Sequence, residues 1–209
     1  MKNGLAEFVG TFFLVLVIGL TVVPPNVGPF APLAVGAALA ALVYAGGRFY
    51  NPAVTVAIWI RGKYTAKETL LFVVVQAVAG IAAALTVNYL RVGTFDPATT
   101  PVARDAVKLF VMEFLFTFVL SFVILQVATS AKTAGNSYYG LAIGLTVIAA
   151  SYAAAPISGA QFNPAVAVGA VVMGLMSVGN LWLTLGACFI GGAVAAIAYR
   201  IVSPEEFQK

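Results

Sequence analysis

The stretch Asn51-Pro-Ala-Val returns as Asn163-Pro-Ala-Val, and each copy reaches a glycine eleven residues after its asparagine, at Gly62 and Gly174. Asparagine is a strong helix N-cap, and proline is preorganised for the first helical position. Glycine is favoured just past the last turn. Each copy therefore spells a complete helix of about ten residues, roughly 15 Å long. That is half of a hydrocarbon core of about 30 Å.

The surroundings are too apolar for a water-soluble fold. Hydrophobic residues make up 62% of the 209 positions and charged residues only 9%, against about 25% charged in a soluble domain. The chain reads as an integral membrane protein. Six apolar segments approach the roughly 20 residues a crossing needs: near 6–23, 30–45, 67–90, 107–128, 138–155 and 180–202. The second and fifth are short. The first segment follows Lys2 as a signal peptide would, but Glu7 lies inside it and its pattern recurs mid-chain, so a retained helix is the better reading. With the N-terminus inside, Lys2, Arg48, Arg61, Lys63, Lys67, Lys132, Arg200 and Lys209 fall on the inner side. Arg91, Arg104 and Lys108 fall outside. That asymmetry places both termini in the cytoplasm. The connection near 91–106, with Asp96, Asp105, Pro97 and Pro101, reads as a solvated outer loop. The chain has no histidine, and Cys188 is its only cysteine. Histidine catalysis, most zinc sites and an intrachain disulfide are excluded. The scattered positive charges do not form a nucleic-acid stripe.

The two halves match in register. Glu7-Phe-Val-Gly-Thr-Phe pairs with Glu113-Phe-Leu-Phe-Thr-Phe, Asn51 pairs with Asn163, and Gly80 and Gly192 each lie 29 residues beyond their asparagine. Three spans per half is an odd number, so the second half enters the membrane inverted. The expected fold is all-α, with six transmembrane helices and two re-entrant half-helices in an inverted repeat. Such repeats place a shared site near the midplane. Non-helical backbone at that depth is tolerated inside protein or beside a water-filled cavity. Two positive helix starts would then converge, with asparagine donors at the centre and loop carbonyls leading toward it. Water exchanges its hydrogen bonds in such a lane at little cost, whereas a cation loses hydration without repayment.

These residues resemble the aquaporins, the major intrinsic protein family. The resemblance covers nearly the whole chain. It is carried by AEFVGTFFLV, GGRFYNPAVTVA, VVVQAVAG, EFLFTFVLSFVI, PISGAQFNPAVAVG and GGAVAAIAYR. It implies one channel domain over residues 1–209, with halves of about 1–92 and 105–204. It also implies a pore in each subunit of a homotetramer, with Asn51, Pro52, Ala53, Asn163, Pro164 and Ala165 at the pore midplane. Four positions map onto the outer constriction: Val35, Ser151, Ala160 and Val166. The family usually has arginine after the second Asn-Pro-Ala, where this chain has Val166. Water-selective members tend to have histidine at the place of Ser151. The histidine common two residues before the first asparagine is Phe49 here. The glycerol branch usually has aspartate at the position of Ala167. The constriction is therefore expected to be wider and nearly uncharged, with Ser151 its only hydrogen-bonding side chain.

Glu7 and Glu113 are ionisable groups inside spans, which marks them as functional candidates. They fit a proton relay, or a brace in which each carboxyl accepts hydrogen bonds from its half's re-entrant loop. The brace is favoured, because a non-helical loop at that depth needs partners. Arg48 and Phe49 stand at the inner approach. Arg48 either reaches the lane or snorkels to headgroups. Tyr50 and Phe162 read as packing behind the loops, as do Met173 and Met176. The small residues Gly80, Ala82, Ala83, Gly191, Gly192 and Ala195 read as close helix contacts.

The sequence thus describes a passive channel in the lipid bilayer of a cell membrane. It would carry water and small neutral solutes such as glycerol, urea or ammonia. Neither a cofactor, a metal nor an enzymatic activity is expected. Two competing classes remain: a channel whose arginine-free constriction also leaks ions or protons, and a structural membrane protein with a closed pore.

Overall fold

The computed structural model describes residues 2–91 and 104–207. Asp96, Pro97 and Pro101 of the expected outer loop, and Lys209, lie outside the described residues. Eight α-helices follow in order: α1 (Lys2–Val22), α2 (Ala31–Gly46), α3 (Pro52–Ile60), α4 (Ala66–Leu90), α5 (Ala106–Thr129), α6 (Tyr139–Ala154), α7 (Pro164–Val172) and α8 (Val178–Val202). No strand occurs among the described residues. Five helical stretches are long and apolar enough to cross a membrane, and α6, at 16 residues, falls short of that length. These five stretches, the shorter α6 and the two half-helices α3 and α7 make an all-α membrane fold.

Local chemistry sets the boundaries. Thr65 and Glu68 form a reciprocal capping box at the start of α4. Asp105 accepts from the Lys108 amide to open α5, and Ser177 accepts from Asn180 to open α8. The half-helices α3 and α7 end one residue before Arg61 and Met173, and Gly62 and Gly174 then turn the chain at φ 84° and 72°. An L side chain resists that conformation, which is why glycine stands there.

The inverted repeat is visible in the packing. α1 lies along α4, and α5 along α8. Between these pairs, α2 crosses α6 at a two-way glycine contact. A Cβ on Gly36 would fall 2.6 Å from the Gly144 carbonyl oxygen, and one on Gly144 would fall 2.5 Å from that of Gly36. Small residues let membrane helices approach this closely. The half-helices are exchanged between halves: α3 packs on α8 and α7 on α4. Large apolar side chains such as Leu70, Tyr89, Trp182 and Ile201 are exposed on the outer surface, where lipid would cover them.

The face that carries both chain ends is closed by a turn at Pro204–Phe207. The Glu206 carboxyl accepts from Arg61 Nη2 at 2.7 Å, Ser130 Oγ at 2.6 Å and the Ala131 amide at 2.6 Å. The Arg61 guanidinium lies over the rings of Tyr199 and Phe207, at 5.2 and 4.6 Å from their centroids. One carboxyl thus ties the ends of α3, α5 and α8 together. The Ser130 hydroxyl, the Ala131 amide and Arg61 hold Glu206 below the ordinary carboxylate range, against the opposing effect of desolvation. A lowered folded-state pKa stabilises the fold above the unfolded value and loses that contribution as pH falls through the folded one. Glu206→Gln should therefore lower the thermal midpoint in detergent at neutral pH. The gap to the native protein should close as pH drops below about 4.5, the ordinary glutamate value. A gap unchanged down to pH 3 would show that the carboxylate charge is not what holds this turn.

Candidate functional site: a lane between two helix starts

The starts of α3 and α7 meet inside the protein. Asn51 caps α3 in an extended conformation, its Oδ1 accepting from the Ala53 and Val54 amides at 3.0 and 3.4 Å. Asn163 caps α7 likewise, accepting from Ala165 at 2.9 Å. Each asparagine then reaches across to the other half. Asn51 Nδ2 donates to the Phe162 carbonyl at 2.9 Å, and Asn163 Nδ2 donates to the Tyr50 carbonyl at 2.9 Å. A primary amide has two N–H donors, so this cross-tie uses one from each asparagine and leaves one. The sequence alone suggests free amides facing the lane; the structure commits half of their donors to holding the two loops together.

The carbonyls are available for this because the residues bearing them are turned. Tyr50 and Phe162 have φ of 55° and 49°, and Ala160 has 56°. Left-handed backbone costs a non-glycine residue on the order of 1 kcal/mol. Hydrogen bonds to buried carboxyls hold it in place. Glu7 Oε2 accepts from the Tyr50 amide at 3.1 Å and from Gln76 Nε2 at 2.8 Å. Gln76 also donates to Thr55 Oγ1 on α3 at 3.0 Å. Glu113 accepts from the Gln161 and Phe162 amides at 3.0 and 2.6 Å. Both carboxyls are fully buried. The geometry is that of a brace under each loop.

Three cavities lie in series past the crossing and share lining residues. On the face carrying the chain ends is a chamber of about 530 Å³, lined by Gly47, Phe49, Lys63, Thr129, Asn136 and Tyr139 among others. On the opposite face is a chamber of about 450 Å³ that includes Ile18, Pro32, Arg104, Tyr152 and Gln161. Between them lies a narrow lane of about 30 Å³, lined by Asn51, Asn163, Phe162 and the aliphatic side chains of Leu14, Leu39, Leu120, Ile124 and Val147. Phe49 is common to the lane and the first chamber; Ile18, Val35, Ser151, Ala160 and Gln161 are common to the lane and the second. One water needs about 10–15 Å³ of such space, so the lane has room for about two or three waters.

All four positions mapped onto the constriction line the lane. Val166 does so while packed against Val15, Ala83 and Val87, and it is only 2% exposed. Val35, Ser151 and Ala160 also line the chamber of about 450 Å³, whereas Val166 lines the lane alone. Pro52, Ala53, Pro164 and Ala165 are buried in the first turns of α3 and α7, behind the asparagines. Arg48 does not line these chambers. It turns toward α4, 3.5 Å from the Tyr64 hydroxyl and 5.8 Å from the centre of the Phe72 ring. Two lining residues escape a reading of the sequence. Gln161 separates Ala160 from Phe162 and has no motif of its own. Arg104 comes from just before α5, far along the chain from the ring.

Two halves that thread a narrow polar-and-apolar lane between opposed half-helices define a membrane channel. The model of the major intrinsic protein family matches residues 1–199, and the chain belongs to that family. It is 35% identical to aquaporin NIP1-4 of Oryza sativa subsp. japonica, over 95% of this chain and 76% of that one. It is 31% identical to aquaporin Z of Rhodopseudomonas palustris, over 96% and 93%, and 32% identical to glycerol uptake facilitator protein-like 6 of Lactiplantibacillus plantarum, over 99% and 100%. The fold superposes on the X-ray structure of the aquaglyceroporin from Plasmodium falciparum with a TM-score of 0.80, covering 99% of this chain and 98% of that one at 17% identity. The family is one of channels for water or small solutes and not of enzymes.

The half-helix starts also depend on two glycines. A Cβ on Gly80 would sit 2.5 Å from the Ala165 carbonyl oxygen, and one on Gly192 would sit 2.6 Å from that of Ala53. Neither contact can absorb a methyl group unless a half-helix backs away. Gly80→Ala and Gly192→Ala should each lower stability by about 1–3 kcal/mol through overpacking, outweighing alanine's helix preference. Both should reduce water permeability. Thermal unfolding in detergent and stopped-flow light scattering on proteoliposomes check this.

Proposed function

We propose that this protein is a passive pore for water that also admits small neutral solutes, among them urea, ammonia and glycerol. The observation that carries the reading is the file-wide lane. It has the remaining asparagine donors at its centre, and its aliphatic wall offers passing molecules no competing partner. The two half-helix N-termini put positive ends at the same point, which opposes cations. The ring of Val35, Ser151, Ala160 and Val166 offers one hydroxyl and no charge, so it does little to sort neutral solutes by hydrogen bonding.

The proposed assembly is a homotetramer in a cell membrane with both termini in the cytoplasm. The excess of Lys and Arg on the face that carries the chain ends supports that orientation. The wider chamber, on which Lys63 lies, would then open inward and the chamber with Arg104 outward.

Proteoliposomes should show osmotic water flow above lipid background, with measurable glycerol and urea entry. Val166→Arg should fill the ring from the second half-helix and depress glycerol and urea more than water, by about tenfold or more if it costs them one good hydrogen-bonding fit. Equal effects on all three solutes would remove the ring from the account. Native flow at background would leave a closed structural protein.

A further inference from the structure

We infer that Arg104 sets the ion tightness of the outer mouth, replacing from the start of α5 the charge that the constriction ring lacks; this rests on the channel reading above. Arg104 is the one charged side chain among the described residues lining the outer chamber. It shares that chamber with Val35, Ser151, Ala160 and Gln161, the residues through which the chamber joins the lane. Its position is fixed: Nη1 donates to the Ile157 carbonyl at 3.1 Å and to that of Ala155 at 3.4 Å, both in the turn that leads from α6 into the second re-entrant loop. The head of the side chain lies over Gly159. A Cβ there would fall 3.2 Å from Nη2 and 3.3 Å from Cζ, and Gly159 has a φ of 94°. A side chain at that position would contest the space the guanidinium occupies.

The guanidinium has five N–H donors, and the two carbonyls engage Nη1 alone. The three donors on Nη2 and Nε have no partner among the described residues, on a side chain that lines the chamber. They suit the oxygen acceptors of water, urea and polyols. A cation arriving from this side meets the guanidinium's positive charge before it reaches the two helix ends. In a cleft with low-dielectric walls such a charge acts at greater strength than on an open surface. Glu113, buried beneath the same loop, interacts electrostatically with Arg104; its oxygens accept from the Gln161 and Phe162 amides, so it offsets part of the guanidinium's charge without pairing with it.

The test compares full-length native protein with R104Q, R104M and R104K in proteoliposomes. Water flow is read by stopped-flow scattering and sodium entry by a trapped fluorescent indicator. The readout is the ratio of sodium to water permeability, which a purely structural role in the loop would leave alone. R104Q and R104M should both raise that ratio by at least about tenfold, the scale of removing a unit charge from a poorly screened mouth. R104K should stay within about twofold of native, because it keeps the charge. The inference is overturned if R104Q and R104M match the native ratio, or if R104K behaves as they do. Native vesicles without water flow would instead overturn the channel reading itself.

Discussion

Everything in this fold depends on an exchange of two hydrogen bonds. Asn51 holds the carbonyl that precedes Asn163, and Asn163 holds the carbonyl that precedes Asn51. Each asparagine also caps its own half-helix, so one side chain fixes both where its own half-helix starts and where the loop entering the opposite one lies. Buried amides and carbonyls must find partners, and here each half supplies those of the other. The tie sets the separation of the two helix ends, and with it the width of the lane. Losing one member leaves a buried carbonyl unpaired and strands the strained residue that bears it.

The supports around that exchange are unequal. In the first half, Glu7 engages one loop amide, and Gln76 extends the network to Thr55 on the half-helix. In the second, Glu113 engages two loop amides directly, and the position related to Gln76 is Cys188, 3.9 Å from the carboxyl. The first loop is thus held through a polar chain and the second by closer contact with its carboxyl. Both arrangements place an acidic group under a turned backbone in the middle of an apolar protein. Such groups are expensive there unless hydrogen-bonded, and the loop amides are what make them tolerable.

Most of the fold was legible in the residues. The cap, proline and stop-glycine signals around Asn51 and Asn163 are local chemistry, and they mark α3 and α7 to within a residue or two. The spans follow from apolar length alone. The repeat follows from register. What the sequence does not express is partnership across the chain. Nothing near Gly80 says that it faces Ala165 of the other half, since the contact exists only once the half-helices are exchanged. The left-handed turns at Tyr50, Ala160 and Phe162 occupy residues that normally avoid them, so propensity points away from the truth. Arg48 carries the right charge in a plausible place, yet Tyr64 and Phe72 draw it aside. Arg104 reaches the mouth from a connection whose position only the folded α5 and α6 determine.

A double-mutant cycle at the midplane asks whether Asn51 and Asn163 act as a single tie. Water permeability per inserted protein would be measured for native protein, Asn51→Ala, Asn163→Ala and the pair. Because each asparagine anchors the loop that carries the other, strong coupling is expected: the double variant loses little more than either single one. Losses that simply multiply would mean that the two sites act independently. The lane would then not be held by a mutual tie.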